Sequence, residues 1–479
     1  MSMPTTSRYD EPPTPEVAEK HGTLRRAMTT RHLVMIAMGG VIGSGLFLST
    51  GYTISQAGPL GAVISYVVGA LVVYLVMACL GELAVAYPVS GAFHIYASRS
   101  INPATGFTTA WLYWLCWAVA LGSEFTASGI LMQRWFPDVP VWVWAAVFVA
   151  VVFTVNAISS RVFGETEYWF SLIKVSAVVV LIVLGGAALV GFHPLASSSQ
   201  SFPVLFANFT TPQGLFPGGV TGVLATVLAA FYAFSGSELI GVAAGETASP
   251  ETAIPKALRI TVLRLLIFFV GSITVIAAII PFDQVGLDQS PFVTVLSALG
   301  IPYAADIMNF VIITALLSAG NSGLFSCARM LFSLAEEGHA PKALGRLNRR
   351  GVPMVALVVS MLGGLASLLS SVVSAETVYL VLVSIAGFAV VAVWMSIAAS
   401  QFFHRRAFVR GGGDVRALLY RTPFYPVVPI LAFGLCLLSL VGVATDPTQV
   451  TALYFGVPFV GACYLYFYLR HGRRAKAGR

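Results

Sequence analysis

Charged residues are scarce in this sequence. Asp, Glu, Lys and Arg make up 10% of its 479 residues, whereas 57% are hydrophobic. A soluble globular domain carries about 25% charged residues. Because a water-exposed surface cannot be built from so few charges, the composition excludes an ordinary soluble protein. Most of the chain must face lipid or other parts of itself.

Cysteine is also scarce, and no group of residues has the pattern of a reactive centre. The cysteines all fall inside apolar runs and have no paired spacing; they are Cys79, Cys116, Cys327, Cys436 and Cys463. Such an odd, dispersed set argues for small core residues rather than for disulfides or a metal site. The apolar segments contain no nucleophile–base pair at a suggestive spacing. We therefore predict no metal ion, no cofactor and no enzymatic activity.

Long apolar runs dominate the rest of the sequence. A bilayer core about 30 Å thick is crossed by roughly 20 apolar residues in a helix, whereas the strands of a membrane barrel alternate over about ten residues. The runs here are continuous, so we predict an all-α polytopic membrane protein with 12 transmembrane helices in a lipid bilayer. They lie near residues 32–52, 60–84, 103–132, 139–158, 165–192, 217–245, 258–281, 300–334, 353–372, 376–403, 424–443 and 449–469.

The basic residues predict the orientation in the membrane. If the N-terminus is cytoplasmic, Arg134 is the only one of the 27 Lys and Arg residues in an outer loop. This bias predicts that both termini are cytoplasmic, and it attributes the net charge of +7 to topology rather than to nucleic-acid binding. We interpret residues 1–30 as a disordered cytoplasmic tail rather than a cleavable signal peptide. Residues 31–470 form the predicted transmembrane domain, and residues 471–479 form a basic cytoplasmic tail.

Small residues interrupt helix 1 and helix 6 near the middle of the membrane. Helix 1 reads MIAMGGVIGSGLFLSTG, and helix 6 reads FYAFSGSELIGVAAGE. The segment Gly43-Ser44-Gly45-Leu46 aligns with Gly236-Ser237-Glu238-Leu239. Close helix packing is one explanation of such glycines. We favour the other, unwound segments that bind a substrate, because paired interruptions in two halves are typical of transporters. They imply two inverted five-helix repeats, about 31–192 and 215–404, followed by helices 11 and 12 at about 424–469.

The chemistry of the two breaks predicts an amino acid ligand. The half-helix after the first break presents amide groups and its positive dipole end, which suit a carboxylate; Ser44 and Gly45 would supply these donors. The half-helix before the second break ends in free carbonyl groups at Phe234 and Ser235, which suit an ammonium group. A ligand held at both ends is an α-amino acid. The predicted substrate-binding residues of the two breaks are Ile42, Gly43, Ser44, Gly45, Phe234, Ser235, Gly236, Ser237 and Glu238.

An ionisable residue in the middle of a membrane span costs free energy, so a function is the first explanation to consider for it. Lys174 in helix 5 is level with Gly43, and burial there disfavours a permanent positive charge. We expect it to exchange a proton with water, or as a permanent cation to replace a sodium ion between helices 1 and 8; snorkelling is the alternative. Glu124 in helix 3 either attracts a cationic substrate side chain or makes an internal hydrogen bond.

For other polar and aromatic residues the sequence allows more than one role. Glu238 is either a proton site or a lock on the unwound segment, and Glu246 is a candidate gate at the inner end of helix 6. Tyr232 and Phe234 flank the second break, where they would either gate the substrate or simply pack. Glu82 is expected to pair with an arginine on the cytoplasmic side such as Arg99. Asn321 and Ser322 in helix 8 are expected to form hydrogen bonds to other helices.

At these residues the chain resembles the amino acid–polyamine–organocation superfamily, in particular its bacterial amino acid transporter branch. The matching segments are RHLVMIAMGGVIGSGLF, CLGELAVAYPVSGAF, FGETEYWFSLIKV, FSGSELIGVAAGE and LLSAGNSGLFSCARML. The resemblance implies the five-plus-five inverted repeat fold, secondary uptake that usually uses protons, and a bacterial inner membrane location. It also implies a role for Lys174 in proton coupling, and matches Glu238 and Glu246 to acidic positions linked to substrate recognition in lysine permeases.

Within this branch the chain is most similar to arginine/ornithine and S-methylmethionine permeases. Glu124 favours a diamino acid, so we expect proton-coupled uptake of arginine, ornithine or lysine. The alternatives are an S-methylmethionine or broader amino acid permease, an amino acid exchanger, and an amino acid sensor that does not transport. The predicted partners are therefore a small amino acid, a proton and the lipid bilayer; the sequence makes no prediction of the oligomeric state.

Overall fold

The computed structural model describes residues 28–89, 93–158, 163–191, 206–210, 215–348, 351–444 and 449–477. This part of the chain is almost entirely helical, and Met28 and Thr247 form an isolated β-bridge outside any strand. Its α-helices are α1 (Thr30–Val41), α2 (Ser44–Phe47), α3 (Ser49–Ala86), α4 (Phe93–Ser100), α5 (Pro103–Met132), α6 (Val141–Ile158), α7 (Phe163–Leu189), α8 (Gly219–Ala233), α9 (Leu239–Val242), α10 (Pro250–Ile279), α11 (Pro291–Ala298), α12 (Ala304–Glu336), α13 (Met354–Leu365), α14 (Ala375–Arg410), α15 (Val427–Val443) and α16 (Thr451–Ala477). Short 3-10 segments lie at Ala207–Phe209, Ala243–Glu246, Phe282–Gln284, Lys342–Gly345, Ala366–Ser371 and Val415–Ala417.

The helices have the length and composition of membrane spans. Among the described residues, nine helical segments are long and apolar enough to cross a membrane, and α8 and α15 are shorter apolar helices. The long helix α3 is divided at Gly58, whose φ of 74° is non-helical, and Pro59 follows directly. The fold is therefore an all-α membrane fold, and its helices can be grouped into the crossings that the sequence predicts. The exact count of twelve stays a prediction.

Several of the predicted boundaries differ from the structure; for example, α10 begins at Pro250 rather than at residue 258, and α14 ends at Arg410 rather than at residue 403. The first span continues past residue 52 to the bend at Gly58, because the backbone after Ser49 stays helical until that glycine. At the other end, α16 runs to Ala477, beyond the predicted end at residue 469. Most of the predicted N-terminal tail, residues 1–27, lies outside the described residues.

Large apolar side chains cover the outside of the helices. Val155 on α6, Phe310 on α12 and Tyr454 on α16 are 49%, 61% and 74% exposed in the isolated chain. Exposed apolar surface on this scale marks an interaction site in a soluble protein, whereas hydrocarbon covers it here. The centre of the molecule is α5, which packs against α12, α13 and α14. A functional side chain on α5 is therefore held by helices on several sides.

The interruptions in helices 1 and 6 are present and lie side by side. Helix 1 comprises α1, α2 and the start of α3, with extended backbone at Ile42 and Gly43; helix 6 comprises α8 and α9, with the break at residues 234–238. The half-helix α1 packs against α9, and α2 packs against α8. Since the first half of each helix contacts the second half of the other, helices 1 and 6 run antiparallel. This is the arrangement that repeats of opposite orientation require.

Gly236 allows the close approach of the two breaks. Its φ is +99°, a conformation that side chains with a Cβ rarely adopt. A Cβ placed on it would also lie 2.8 Å from the carbonyl carbon of Gly40. Both the conformation and the contact therefore require glycine at this position.

Glu82 pairs with an arginine, but with Arg405 rather than with Arg99. The Nε and Nη2 atoms of Arg405 both donate to its carboxylate, the former at 2.6 Å, and the amide of Thr422 donates at 2.7 Å. Arg99 instead lies over the ring of Tyr87, 5.1 Å from its centroid. Tertiary packing selects this partner, because α14 packs against α3 and the planar guanidinium of Arg405 matches both carboxylate oxygens of Glu82.

Candidate functional site

A small cavity lies between the two breaks, where α5 and α12 also approach. Its volume is about 20 Å³, which is room for about one water molecule. The cavity is lined by Gly40, Val41, Gly43, Gly45, Trp117, Ala120, Leu121, Glu124, Tyr232, Ser235, Ala319, Gly320 and Gly323. Of the predicted substrate-binding residues, Gly43, Gly45, Glu124 and Ser235 border it directly. The structure therefore places predicted residues from helices 1, 3 and 6 around one space.

Glu124 reaches from α5 to the first break. The amide of Ser44 donates to both of its carboxylate oxygens, at 3.2 and 3.1 Å, and the Ser44 hydroxyl donates at 2.9 Å. The hydroxyl of Tyr232 adds a donor at 3.3 Å. A Cβ on Gly43 would lie 2.8 Å from Glu124 Oε1, so the missing side chain at Gly43 makes room for this carboxylate. The donors that the sequence assigns to a substrate are thus engaged by a side chain of the protein.

Tyrosine hydroxyls donate to carbonyl groups of the segment that follows the first break. Tyr379 on α14 donates to the carbonyl of Ser44 at 2.9 Å, and Tyr66 on α3 donates to the carbonyl of Gly45 at 3.2 Å. The Tyr232 hydroxyl lies 2.8 Å from the Ser123 hydroxyl on α5. Sequence reasoning missed Tyr66, Tyr379 and Ser123. No local signal distinguishes these tyrosines from packing residues in a chain that is 12% aromatic.

Glu238 closes the second break from within the same segment. The amide of Gly236 donates to its two oxygens at 3.0 and 3.1 Å, and the indole nitrogen of Trp394 on α14 donates at 3.3 Å. The carboxylate is fully buried. Of the two predicted roles, this geometry supports a lock on the unwound segment. The neighbouring Ser237 hydroxyl is buried without a hydrogen-bond partner.

Lys174 is tied to helix 1 immediately before its break. Its ammonium nitrogen donates to the carbonyl of Gly39 at 2.7 Å, and the side chain is fully buried. A snorkelling lysine would instead extend along the helix towards the membrane surface. Lys174 of helix 5 therefore contacts helix 1 just before its break, and Glu124 of helix 3 contacts helix 1 just after it.

Some of the predicted residues lie away from the cavity. The ring of Phe234 stacks on Phe269 of α10, with centroids 4.7 Å apart, and approaches Tyr66. Tyr232 lines the cavity and Phe234 does not, because residues two apart point to different sides of a helix. Ile42 is buried but is absent from the lining. The side chain of Glu246 lies outside the described residues, so its predicted role as a gate stays a prediction.

Small residues of α12 form the wall opposite the breaks, and sequence reasoning missed them. A Cβ on Gly323 would lie 3.0 Å from the ring of Trp117, and one on Gly320 would lie 3.3 Å from the ring of Phe125. The helix reads AGNSG here, and in the sequence its polar residues are the more obvious candidates for a function. The Ser322 hydroxyl is buried without a hydrogen-bond partner, so the hydrogen bond predicted for it is wrong. Asn321 accepts a hydrogen bond of 2.7 Å from Asn156 on α6, which confirms the predicted contact between helices for that residue. It lies on the other side of α12 from the cavity.

The chain is similar to known proteins over most of its length. The model of the amino acid permease family matches residues 32–476. The amino-acid permease RocE of Bacillus subtilis (strain 168) is 51% identical over 95% of this chain and 97% of its own length. The lysine-specific permease LysP of Escherichia coli (strain K12) is 42% identical over 91% of both chains. The histidine permease HisP of Lactococcus lactis subsp. cremoris (strain MG1363) is 36% identical over 91% of this chain and 92% of its own length.

Proposed function

Because the chain belongs to the amino acid permease family, we propose that it takes up cationic amino acids by secondary active transport coupled to protons. The observation that carries the proposal is the pair of charges at the first break: Glu124, which lines the cavity, is buried against Ser44, and Lys174 is buried against Gly39. LysP and HisP are named for different amino acids, so the family relation supports the class of substrate, and the side chains around the cavity must select within it.

The two breaks would hold the part that all amino acids share. The amide and hydroxyl of Ser44 suit the α-carboxylate, since backbone N–H groups at a helix start favour an anion. Ser235 lies on the cavity wall before the second break and would offer its carbonyl to the α-ammonium. Gly45 lets these elements approach, because a Cβ on it would lie 2.5 Å from the Cα atom of Ala233.

Glu124 would select a cationic side chain. It is the carboxylate that borders the cavity, and it sits in a region where an unpaired charge is costly. A substrate such as arginine, ornithine or lysine would supply a counter-charge that a neutral amino acid lacks. S-methylmethionine carries a sulfonium charge and would satisfy the same requirement.

Lys174 would carry the proton. A charged ammonium group donates a stronger hydrogen bond to Gly39 than a neutral amine would, so release of a proton would weaken the link between helix 5 and the first break. The same bond ties the protonation state to the conformation of helix 1. A proton bound from one side and released to the other would thereby bias the two conformations of the carrier.

The orientation proposed from the basic residues has support at both ends of the molecule. The amide of Ala248 donates to the carbonyl of Met28 at 3.0 Å, so the start of helix 1 lies beside the loop after helix 6. Arg134 donates to Asp306 at 2.7 Å at the opposite end. We place the first pair on the cytoplasmic side of a bacterial inner membrane, together with both termini.

A competition panel tests the proposed substrate class. Purified protein in proteoliposomes would take up labelled arginine while unlabelled arginine, ornithine, lysine, histidine, S-methylmethionine, alanine and glutamate compete. The proposal expects the cationic compounds to compete at the lowest concentrations. Equal competition by alanine would favour a broader permease, and preferential competition by S-methylmethionine would identify that alternative. Binding of amino acids without any uptake would point to a sensor.

A further inference from the structure

The position of Glu124 relative to Ser44 has a consequence beyond substrate selection. Its two oxygens accept from the Ser44 amide, and one of them also accepts from the Ser44 hydroxyl. These atoms are the donors that the proposed function assigns to the α-carboxylate of the substrate. In the structure, therefore, a carboxylate from the protein occupies the place of the carboxylate of the ligand.

Two carboxylates cannot share these donors. The remaining space holds about one water molecule, so an amino acid does not fit while Glu124 stays in place. Binding of a substrate carboxylate to Ser44 hence requires that Glu124 moves away from it.

We propose that Glu124 is a resident carboxylate, an internal competitor that fills the α-carboxylate subsite at Ser44 until the substrate displaces it. The inference rests on the proposed function, because it needs Ser44 to bind the substrate. Displacement frees Glu124 within the cavity, where a cationic side chain of the substrate replaces the lost hydrogen bonds. A neutral amino acid offers no such replacement. Discrimination against neutral substrates thus has two sources. One is the free energy needed to displace Glu124 from Ser44, and the other is the lack of attraction between Glu124 and a neutral side chain.

Glu238 at the second break offers a comparison within the same molecule. Glu238 bonds to Gly236, two residues away in the same unwound segment, and is absent from the cavity lining. Glu124 reaches Ser44 from another helix, 80 positions along the chain, and lines the cavity. A glutamate that only stabilises an unwound segment needs no access to the cavity, whereas a glutamate that competes with the substrate must lie beside the cavity.

The first test measures the affinity for a neutral amino acid. Alanine binding would be measured by equilibrium dialysis on intact protein in nanodiscs, for the wild type, E124A and E124Q. We expect alanine to bind about ten-fold more tightly to E124A, in which the subsite is vacated. The gain should be smaller in E124Q, because a glutamine of the same size still accepts from Ser44 but forms weaker hydrogen bonds than a carboxylate. The variant D306N removes an exposed carboxylate that pairs with Arg134, so it controls for a change of net charge and should leave alanine affinity unchanged. Unchanged or weaker alanine binding by E124Q and E124A overturns the inference.

The second test uses acetate, whose two carbons and two oxygens correspond to the Cγ, the Cδ and the carboxylate oxygens that E124A removes. If Ser44 forms a carboxylate subsite, millimolar acetate should raise the thermal unfolding temperature of E124A and should compete with alanine for binding. Acetamide, of the same size without the charge, should do neither, and neither compound should affect the wild type. Should E124A fail to fold, E124Q still reports through alanine affinity. Lack of any amino acid binding by the wild type contradicts the proposed function, whereas wild-type binding of arginine with no gain for alanine in the variants contradicts only the resident carboxylate.

Discussion

The substitution Gly236→Ala is predicted to separate the two breaks that form the site. Its methyl group would be held at a φ of +99° and 2.8 Å from the carbonyl carbon of Gly40. A residue with a Cβ in the left-handed region costs roughly 1–2 kcal/mol. The close contact adds to this because its partner is backbone, so α1 must shift to relieve it. We expect a total loss of about 2–4 kcal/mol in the free energy of unfolding.

The matched control is Gly186→Ala in α7, where a Cβ would meet nothing within 4 Å. Alanine gains up to about 1 kcal/mol over glycine inside a helix, so this variant should be at least as stable as the wild type. Thermal unfolding in detergent and binding of labelled arginine would be measured on both. G236A should unfold at a lower temperature and bind arginine more weakly. Equal unfolding temperatures and equal affinities for the two variants would refute the packing argument.

Further predictions concern the charged residues. Lys174→Ala should abolish uphill uptake while some exchange or binding remains, whereas the exposed Lys256→Ala should transport normally; proton-driven accumulation by K174A would contradict the coupling role. Glu124→Ser should lose its preference for arginine over neutral amino acids in competition assays, and an unchanged preference would return Glu124 to a structural role. Glu82→Gln should lower the free energy of unfolding by about 3–5 kcal/mol, because Arg405 would lose its buried counter-charge. Unfolding of E82Q at the wild-type temperature would show that the pair is not needed for stability.

The fold follows from the sequence to a large extent because one physical requirement dominates it. A chain that crosses hydrocarbon must satisfy its backbone hydrogen bonds within each helix, so long apolar runs specify helices directly. The breaks were predictable because glycine is costly inside a helix and occurs at matching places in helices 1 and 6. The bend at Gly58 was not recognised, since a single glycine before a proline also fits a loop between two helices.

The contacts within the site were less predictable. Whether Glu124 faces a substrate or makes an internal bond depends on how α5 packs against α2, which no local pattern encodes. The same is true of Glu82, where the sequence indicates the need for an arginine and packing selects Arg405. Tyr379 approaches Ser44 from 335 positions away, and nothing near it in the sequence sets it apart from other aromatic residues. Local chemistry thus identifies candidates, and tertiary packing assigns their partners.

The central claim is that the chain accumulates a cationic amino acid at the expense of a proton gradient. Proteoliposomes that contain the purified protein and no internal amino acid would be given labelled arginine and an inward proton gradient, with the membrane potential clamped. The account predicts that arginine reaches an internal concentration above the external one, and that a protonophore collapses the accumulation. Uptake that occurs only when the vesicles are preloaded with ornithine or another amino acid, whatever the pH gradient, would contradict it and identify an exchanger.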